Sequence, residues 1–295
     1  MIRFTAERDD QTFVDAEGVR IHFHVWRVGK PKAIVQIAHG LGEYAARHEN
    51  LAQDLVAAGY TVYADDHRGH GQTGVEQHGG DRSKLGRLGP GGMNATVESV
   101  RQFSGIIRRE HPGVRLVLLG HSWGSVIAQK LIDAHADEYD AVVLSGTALR
   151  SLRHMNGGKL NKKHAHLGTT GYEWLSRDPA VSQAFLSDDL TFSAEAIALF
   201  GLPDALRLLG KPSKNMKRDI PLLIQVGSDD PFGGEQSAVL LAEAYLSRSR
   251  LSDVELIVYS DARHEIYNEI NSADVVADLI RWVDARVAGA GSLVE

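Results

Sequence analysis

Eight stretches of the chain carry strand-like runs of β-branched and aliphatic residues, at 12–14, 19–28, 33–38, 60–64, 114–119, 141–144, 222–226 and 254–259. Glu17-Gly18 separates the first two, which predicts an antiparallel hairpin. Between the later runs the apolar positions shift to helical spacing, at 48–58, 94–110, 236–248 and 273–287. Strands alternating with helices predict an α/β fold: an eight-stranded, mostly parallel sheet with helices on both faces.

The rhythm breaks between 149 and 218, where about 70 residues stand in place of a short crossover. Residues 155–171 are rich in Gly, Lys, His and Asn, whereas 172–209 hold short helix-like pieces with Trp174, Leu175, Phe185, Leu186, Phe192 and Phe200. We read a helical cap inserted into one core, so that 1–148 and 219–295 form the core and 149–218 the insertion. Trp174, Phe185 and Phe192 are its candidate substrate contacts, although any one of them would serve equally well in a satellite core. There is no internal repeat or low-complexity tract.

The chemistry starts at Gly120-His121-Ser122-Trp123-Gly124, where the strand at 114–119 gives way to a helical pattern with Val126, Ile127, Leu131 and Ile132. With 30 glycines in the chain, chance alone supplies roughly 0.2 G-x-S-x-G matches, so the context carries the argument. A strand, a sharp turn and a helix in that order push one serine hydroxyl into the open, with glycines two positions either side to avoid collision. Ser122 is therefore the candidate nucleophile.

A serine hydroxyl needs a base within reach and a carboxylate to hold the base's tautomer. In a sheet of this kind the acid and the histidine follow late strands. After 222–226 comes Gly227-Ser228-Asp229-Asp230-Pro231, and after 254–259 comes Ser260-Asp261-Ala262-Arg263-His264. His264 is the candidate base among 14 histidines because of that position. Asp230 is the candidate acid, with Asp229 as the alternative. Attack on a carbonyl creates an oxyanion that needs two aimed donors. The Trp123 amide, just after the nucleophile, and the Leu41 amide, in the glycine-flanked loop after 33–38, are placed to supply them.

Asp65-Asp66-His67-Arg68-Gly69-His70-Gly71 has the residue types of a metal cluster but no spaced second cluster. We read it as a polar turn bracing the floor of the site, and expect no metal and no cofactor. His48 and His111 carry no predicted chemistry, and Asp188-Asp189 reads as a turn or helix start in the cap.

Composition narrows the partners. A net charge of −6 with no polybasic block leaves no electrostatic footprint for nucleic acid or an anionic membrane. The absence of cysteine excludes disulfides, zinc–thiolate sites and a thiol nucleophile, and fits a reducing cytoplasm. Residues 1–10 are polar and acidic rather than signal-like, and no window of about 18 apolar residues predicts a membrane span. The expectation is a cytoplasmic protein acting on a small-molecule ester, with no nucleic acid and no integral membrane association; a homodimer is compatible with the sequence.

Taken together, these residues resemble the α/β-hydrolase superfamily and, within it, the monoacylglycerol lipases and lysophospholipase-like hydrolases of the serine aminopeptidase S33 type. The resemblance rests on His39-Gly40-Leu41-Gly42-Glu43, Arg47, Leu51-Ala52, Asp66-His67-Arg68-Gly69-His70-Gly71-Gln72, the serine turn, Asp230 and His264. It implies the α/β-hydrolase fold, ester substrates, and an apolar cap receiving one acyl chain. The elbow departs from the family pattern at Trp123 and Ser125, where methionine and glycine are usual, and an indole there would narrow the pocket. The implied reaction is two-step hydrolysis of carboxylic esters through an acyl-enzyme. Amide, lactone or carbon–carbon cleavage on the same scaffold, or ligand binding without turnover, are the alternatives.

Overall fold

The computed structural model describes residues 6–287. In chain order the regular elements are β1 Arg8–Val14, β2 Arg20–Trp26, β3 Ile34–Ala38, α1 Glu49–Ala57, β4 Thr61–Asp65, α2 Gly71–Gln77, α3 Gly92–Glu110, β5 Leu116–His121, α4 Trp123–His135 and β6 Ala141–Ser145. There follow α5 Pro179–Ser187, α6 Ala196–Phe200, α7 Leu202–Leu206, β7 Leu222–Gly227, α8 Gly234–Ala244, β8 Val254–Tyr259 and α9 Ser272–Val287.

The strands form one sheet in the order β1-β2-β4-β3-β5-β6-β7-β8, in which β2 pairs antiparallel with β1 and β4 and every other pair is parallel. All eight predicted strands are present, and this is the α/β-hydrolase fold. β3, β5, β6 and β7 are buried along their whole length because helices cover both faces, which is why they read as unbroken apolar runs. Alternate residues divide between two cores. Leu116, Leu118, Val142 and Leu144 face α3, α4 and α8, whereas Val117, Leu119, Ala141 and Val143 face α1 and α9.

Winding reverses between the neighbours β3 and β5, since β3 leads back to β4 while β5 leads on to β6. Such a switch point opens a crevice at the carboxyl ends of the strands. Register sets those ends level: Ala38 pairs with Gly120, His121 with Ser145, Ser145 with Gln225, and Gly227 with Tyr259. The loops that leave these ends therefore meet over one spot.

The segment between β6 and β7 carries α5, α6, α7 and two short 3-10 turns, Leu160–Lys163 and Ala165–Leu167. Leu160, Trp174, Leu175 and Phe185 form a small core of their own beneath it. The helix α2 is absent from the sequence reading because Gly71, Thr73 and Gly74 are poor helix formers. It forms because the Asp66 carboxylate accepts the Gln72 N–H at 2.7 Å and because Gly74 packs against the Gly69 backbone. Similarly, α3 starts two residues ahead of the predicted 94, its Met93 N–H donating to Asp204 at 3.2 Å. Among the described residues no helix is long and apolar enough to cross a membrane.

Candidate active site

Ser122 lies between the last residue of β5 and the first of α4, with φ 54° and ψ −121°. Such a backbone is strained for a side-chain-bearing residue and is held here from several sides. Its N–H donates to the Ser145 carbonyl at the end of β6 at 2.9 Å, and its own carbonyl accepts the Ser125 N–H at 2.9 Å. The flanking glycines are required by space. A Cβ on Gly120 would lie 2.5 Å from the Gly124 carbonyl oxygen, and one on Gly124 would collide with the Ala38 carbonyl of β3. Helix and strand thus approach closely enough to leave Ser122 half-exposed at the crevice.

The loops after β7 and β8 lie side by side, tied by Ser228 N–H to Tyr259 O at 2.9 Å and Asp229 N–H to Ala262 O at 3.0 Å. This brings Asp230 to His264: the ring Nδ1 lies 2.9 Å from Asp230 Oδ1, and both side chains are buried. Because a carboxylate only accepts, the Nδ1 carries the proton and leaves Nε2 with a free lone pair. That Nε2 has no partner among the described residues. The alternative acid turns elsewhere, since Asp229 accepts from His164 Nε2 at 2.8 Å and pairs with Lys163. Burial works against a charged His264, yet the Asp230 carboxylate, aided by Glu265 and Glu43, raises its pKa above the ordinary histidine value.

The loop after β3 is clamped at one glycine. The His39 Nδ1–H donates to the Gly40 carbonyl at 2.7 Å, while its Nε2 accepts the His67 N–H at 2.9 Å. Burial and the neighbouring His67 and His70 push the His39 pKa well below 6.5, so the ring stays neutral and keeps that tautomer. The Gly40 carbonyl belongs to the same planar peptide as the Leu41 N–H, so fixing the one orients the other. On the far side of the residue, the Gly40 N–H donates to Glu43 Oε1 at 2.6 Å. Trp123 is the first residue of α4, where an N–H has no partner within the helix.

The block at 65–71 braces this floor. His67 pairs with Asp65 at 2.8 Å, Asp66 accepts the Ala45 N–H at 2.9 Å, and the buried Arg68 reaches Asp15 in the β1–β2 turn at 2.7 Å. Among the described residues no group of three or more His, Asp or Glu could hold a metal ion. The Trp123 indole stacks on His70 with ring centres 5.0 Å apart and touches Phe200 at 5.4 Å.

Two small chambers meet at Ser122. One is apolar, lined by Leu41, Trp123, Val126, Leu160, Leu208 and Phe232. It shares Met155, Ala196, Leu208 and Phe232 with a larger cavity of about 590 Å³ beneath α6 and α7. The exposed Leu152, Ile197, Leu202 and Leu206 stand on that cavity's wall. The other chamber presents Glu43, His121 and Glu265 to Ser122 and His264, with Trp174 and Phe185 across from them. Trp174 lies 4.8 Å from the His264 ring. Phe192 is placed differently, packed on His70 at 5.1 Å and bonded through its N–H to the Gly42 carbonyl at 3.0 Å. It lines neither chamber.

Sequence reasoning missed a buried charged cluster beside the second chamber. Arg47 donates to both Glu265 oxygens at 2.8 and 3.0 Å, and Glu43 lies 3.4 Å from Arg47 Nε and from His48 Nε2. Burial opposes the Glu43 charge, but His48, His121 and Arg47 hold its carboxyl well below the usual range. Glu43 and Arg47 counted toward the family resemblance, but their four-residue step in a predicted loop is weak evidence of burial.

Similarity to known proteins spans nearly the whole chain. The family model for serine aminopeptidase, S33, matches residues 29–271. The chain is 32% identical to the monoacylglycerol lipase of Mycolicibacterium smegmatis over 95% of its own length and 98% of that protein. It is 29% identical to the monoglyceride lipase of Mus musculus, over 95% and 91% respectively. The crystal structure of a thermostable carboxyl esterase from Bacillus coagulans superposes with a TM-score of 0.82 at 22% identity, covering 96% of this chain and all of that one, which concerns the fold. The family model spans more than half of the chain, and the chain belongs to the serine aminopeptidase S33 family of α/β-hydrolases.

Proposed function

We propose that the protein hydrolyses carboxylic esters of the monoacylglycerol type through an acyl-enzyme. Ser122 attacks the carbonyl while His264 Nε2 takes its proton; Asp230 holds the ring and stabilises the imidazolium. The Leu41 and Trp123 amides receive the oxyanion, each such donor being worth roughly 10²–10³ in kcat. His264 then protonates the departing alcohol, and water repeats the cycle to free the acid. Residues 149–218 act as the cap over this site.

The observation that carries the reading is the division of space at Ser122. An apolar chamber continuing into a cavity of about 590 Å³ suits an acyl chain, whereas Glu43, His121 and Glu265 line only a water-sized gap on the other side of Ser122. The two named lipase relatives support the same substrate class. The test compares monoacylglycerols with alkyl and aryl esters of the same acyl length. A higher kcat/KM for the glycerol esters is expected; equal values would reduce the reading to a general carboxylesterase.

A further inference from the structure

We infer that Glu43 is a positioning residue for the oxyanion hole: its buried carboxylate holds Gly40 against Ser122 so that the Leu41 N–H faces the reacting carbonyl. The inference rests on the proposed ester hydrolysis. Three observations carry it.

First, Glu43 Oε1 accepts the Gly40 N–H at 2.6 Å in a fully buried, charge-assisted hydrogen bond, stronger than a neutral one. Second, there is no slack at this point. A Cβ on Gly40 would lie 2.6 Å from Glu43 Oε1 and 3.0 Å from Ser122 Cβ, so the glycine is sandwiched between the two residues and a shift of Glu43 changes the distance from loop to nucleophile. Third, the charge is countered by a neighbouring cation, although Glu43 lines the chamber at Ser122. A carboxylate next to a developing oxyanion would repel it, but here the Arg47 guanidinium supplies the opposing positive charge, its Nε 3.4 Å from Oε2. Arg47 is itself fixed by its two-pronged bond to Glu265. The cluster thus permits a strong acceptor behind the loop while neutralising it. His39 grips the Gly40 carbonyl from the other side, so the peptide carrying the Leu41 N–H is held on both sides. Glu43 takes no proton from substrate and touches no reacting atom in this scheme.

The experiment measures kcat and KM for p-nitrophenyl butyrate and the Ki of butaneboronic acid, whose adduct on Ser122 mimics the tetrahedral oxyanion, in the parent, Glu43→Ala and Glu43→Gln. Removing the acceptor should lower kcat by about 10²-fold with KM within about threefold, and raise the boronate Ki in parallel, because a misplaced donor weakens transition-state binding alone. Glu43→Gln keeps a carbonyl acceptor of the same shape and should recover at least about tenfold of that loss. If Glu43→Ala does not fold, Glu43→Gln decides: a fall of roughly tenfold in kcat matched by the boronate Ki supports the inference. Parental kcat and Ki in Glu43→Gln and Glu43→Ala, or a loss confined to KM, would overturn it while leaving ester hydrolysis intact. A parent that turns over no ester overturns both.

Discussion

His264 donates its Nδ1 proton to Asp230 at 2.9 Å, while Asp229, one position earlier, turns to His164 and Lys163 in the segment between β6 and β7. Adjacent aspartates therefore carry separable tasks. Asp230→Asn would present an amide to the ring and favour the wrong tautomer, and should lower kcat about 10⁴-fold on p-nitrophenyl butyrate. Asp229→Asn alters only contacts to His164 and Lys163, away from the His264 ring, and should keep kcat within about tenfold. Steady-state kinetics on both variants check the pair.

The raised pKa of His264 fixes the sign of the pH dependence. The base must be neutral to accept the Ser122 proton, so kcat/KM should climb with pH and its acid limb should fall above the ordinary histidine value of about 6.5. Stability follows the opposite sense: the folded protein holds this proton more tightly than the unfolded chain, so the contribution is complete below the ordinary value and is lost as pH rises through the raised one. A pH–rate profile with its acid limb below about 6 would contradict this electrostatic picture.

The fit of Gly124 against Ala38 makes a stability prediction. Gly124→Ala inserts a methyl into the β3 backbone, where no flexible side chain can yield. A loss of roughly 3 kcal/mol, at the upper end for overpacking, is expected in chemical denaturation, together with loss of activity. Gly157→Ala, which meets open space, should be nearly neutral in stability.

Much of this was legible in the sequence. The inner strands β3 to β7 read clearly because strands buried on both faces are continuous apolar runs, whereas the exposed edge strand β1 showed only its end at 12–14; Ser122, Asp230 and His264 stood out because each follows a strand end in a short loop. Other features depend on contacts distant in sequence. The helix α2 exists through Asp66 rather than through the propensities of Gly71 and Gly74. His48 carried no visible chemistry, because its place beside Glu43 is set by how the β3 loop folds back. Phe185 and Phe192 looked alike as cap aromatics, yet Phe185 faces the chamber under the Arg47 guanidinium and Phe192 packs on His70 outside it.

The acyl path gives a specificity prediction. Ala196 lines both the chamber at Ser122 and the larger cavity beyond it. Ala196→Phe should narrow the junction, cutting kcat/KM for long acyl esters by about tenfold or more while p-nitrophenyl acetate stays within about threefold. A chain-length series on both proteins reads this directly.

The central claim is that Ser122 is the nucleophile, and fluorophosphonate labelling followed by peptide mass spectrometry tests it most directly. The account predicts one adduct, on the peptide bearing Ser122, formed in step with loss of esterase activity, and neither labelling nor turnover in a folded Ser122→Ala variant. An adduct on another serine, or parental hydrolysis by Ser122→Ala, would contradict it.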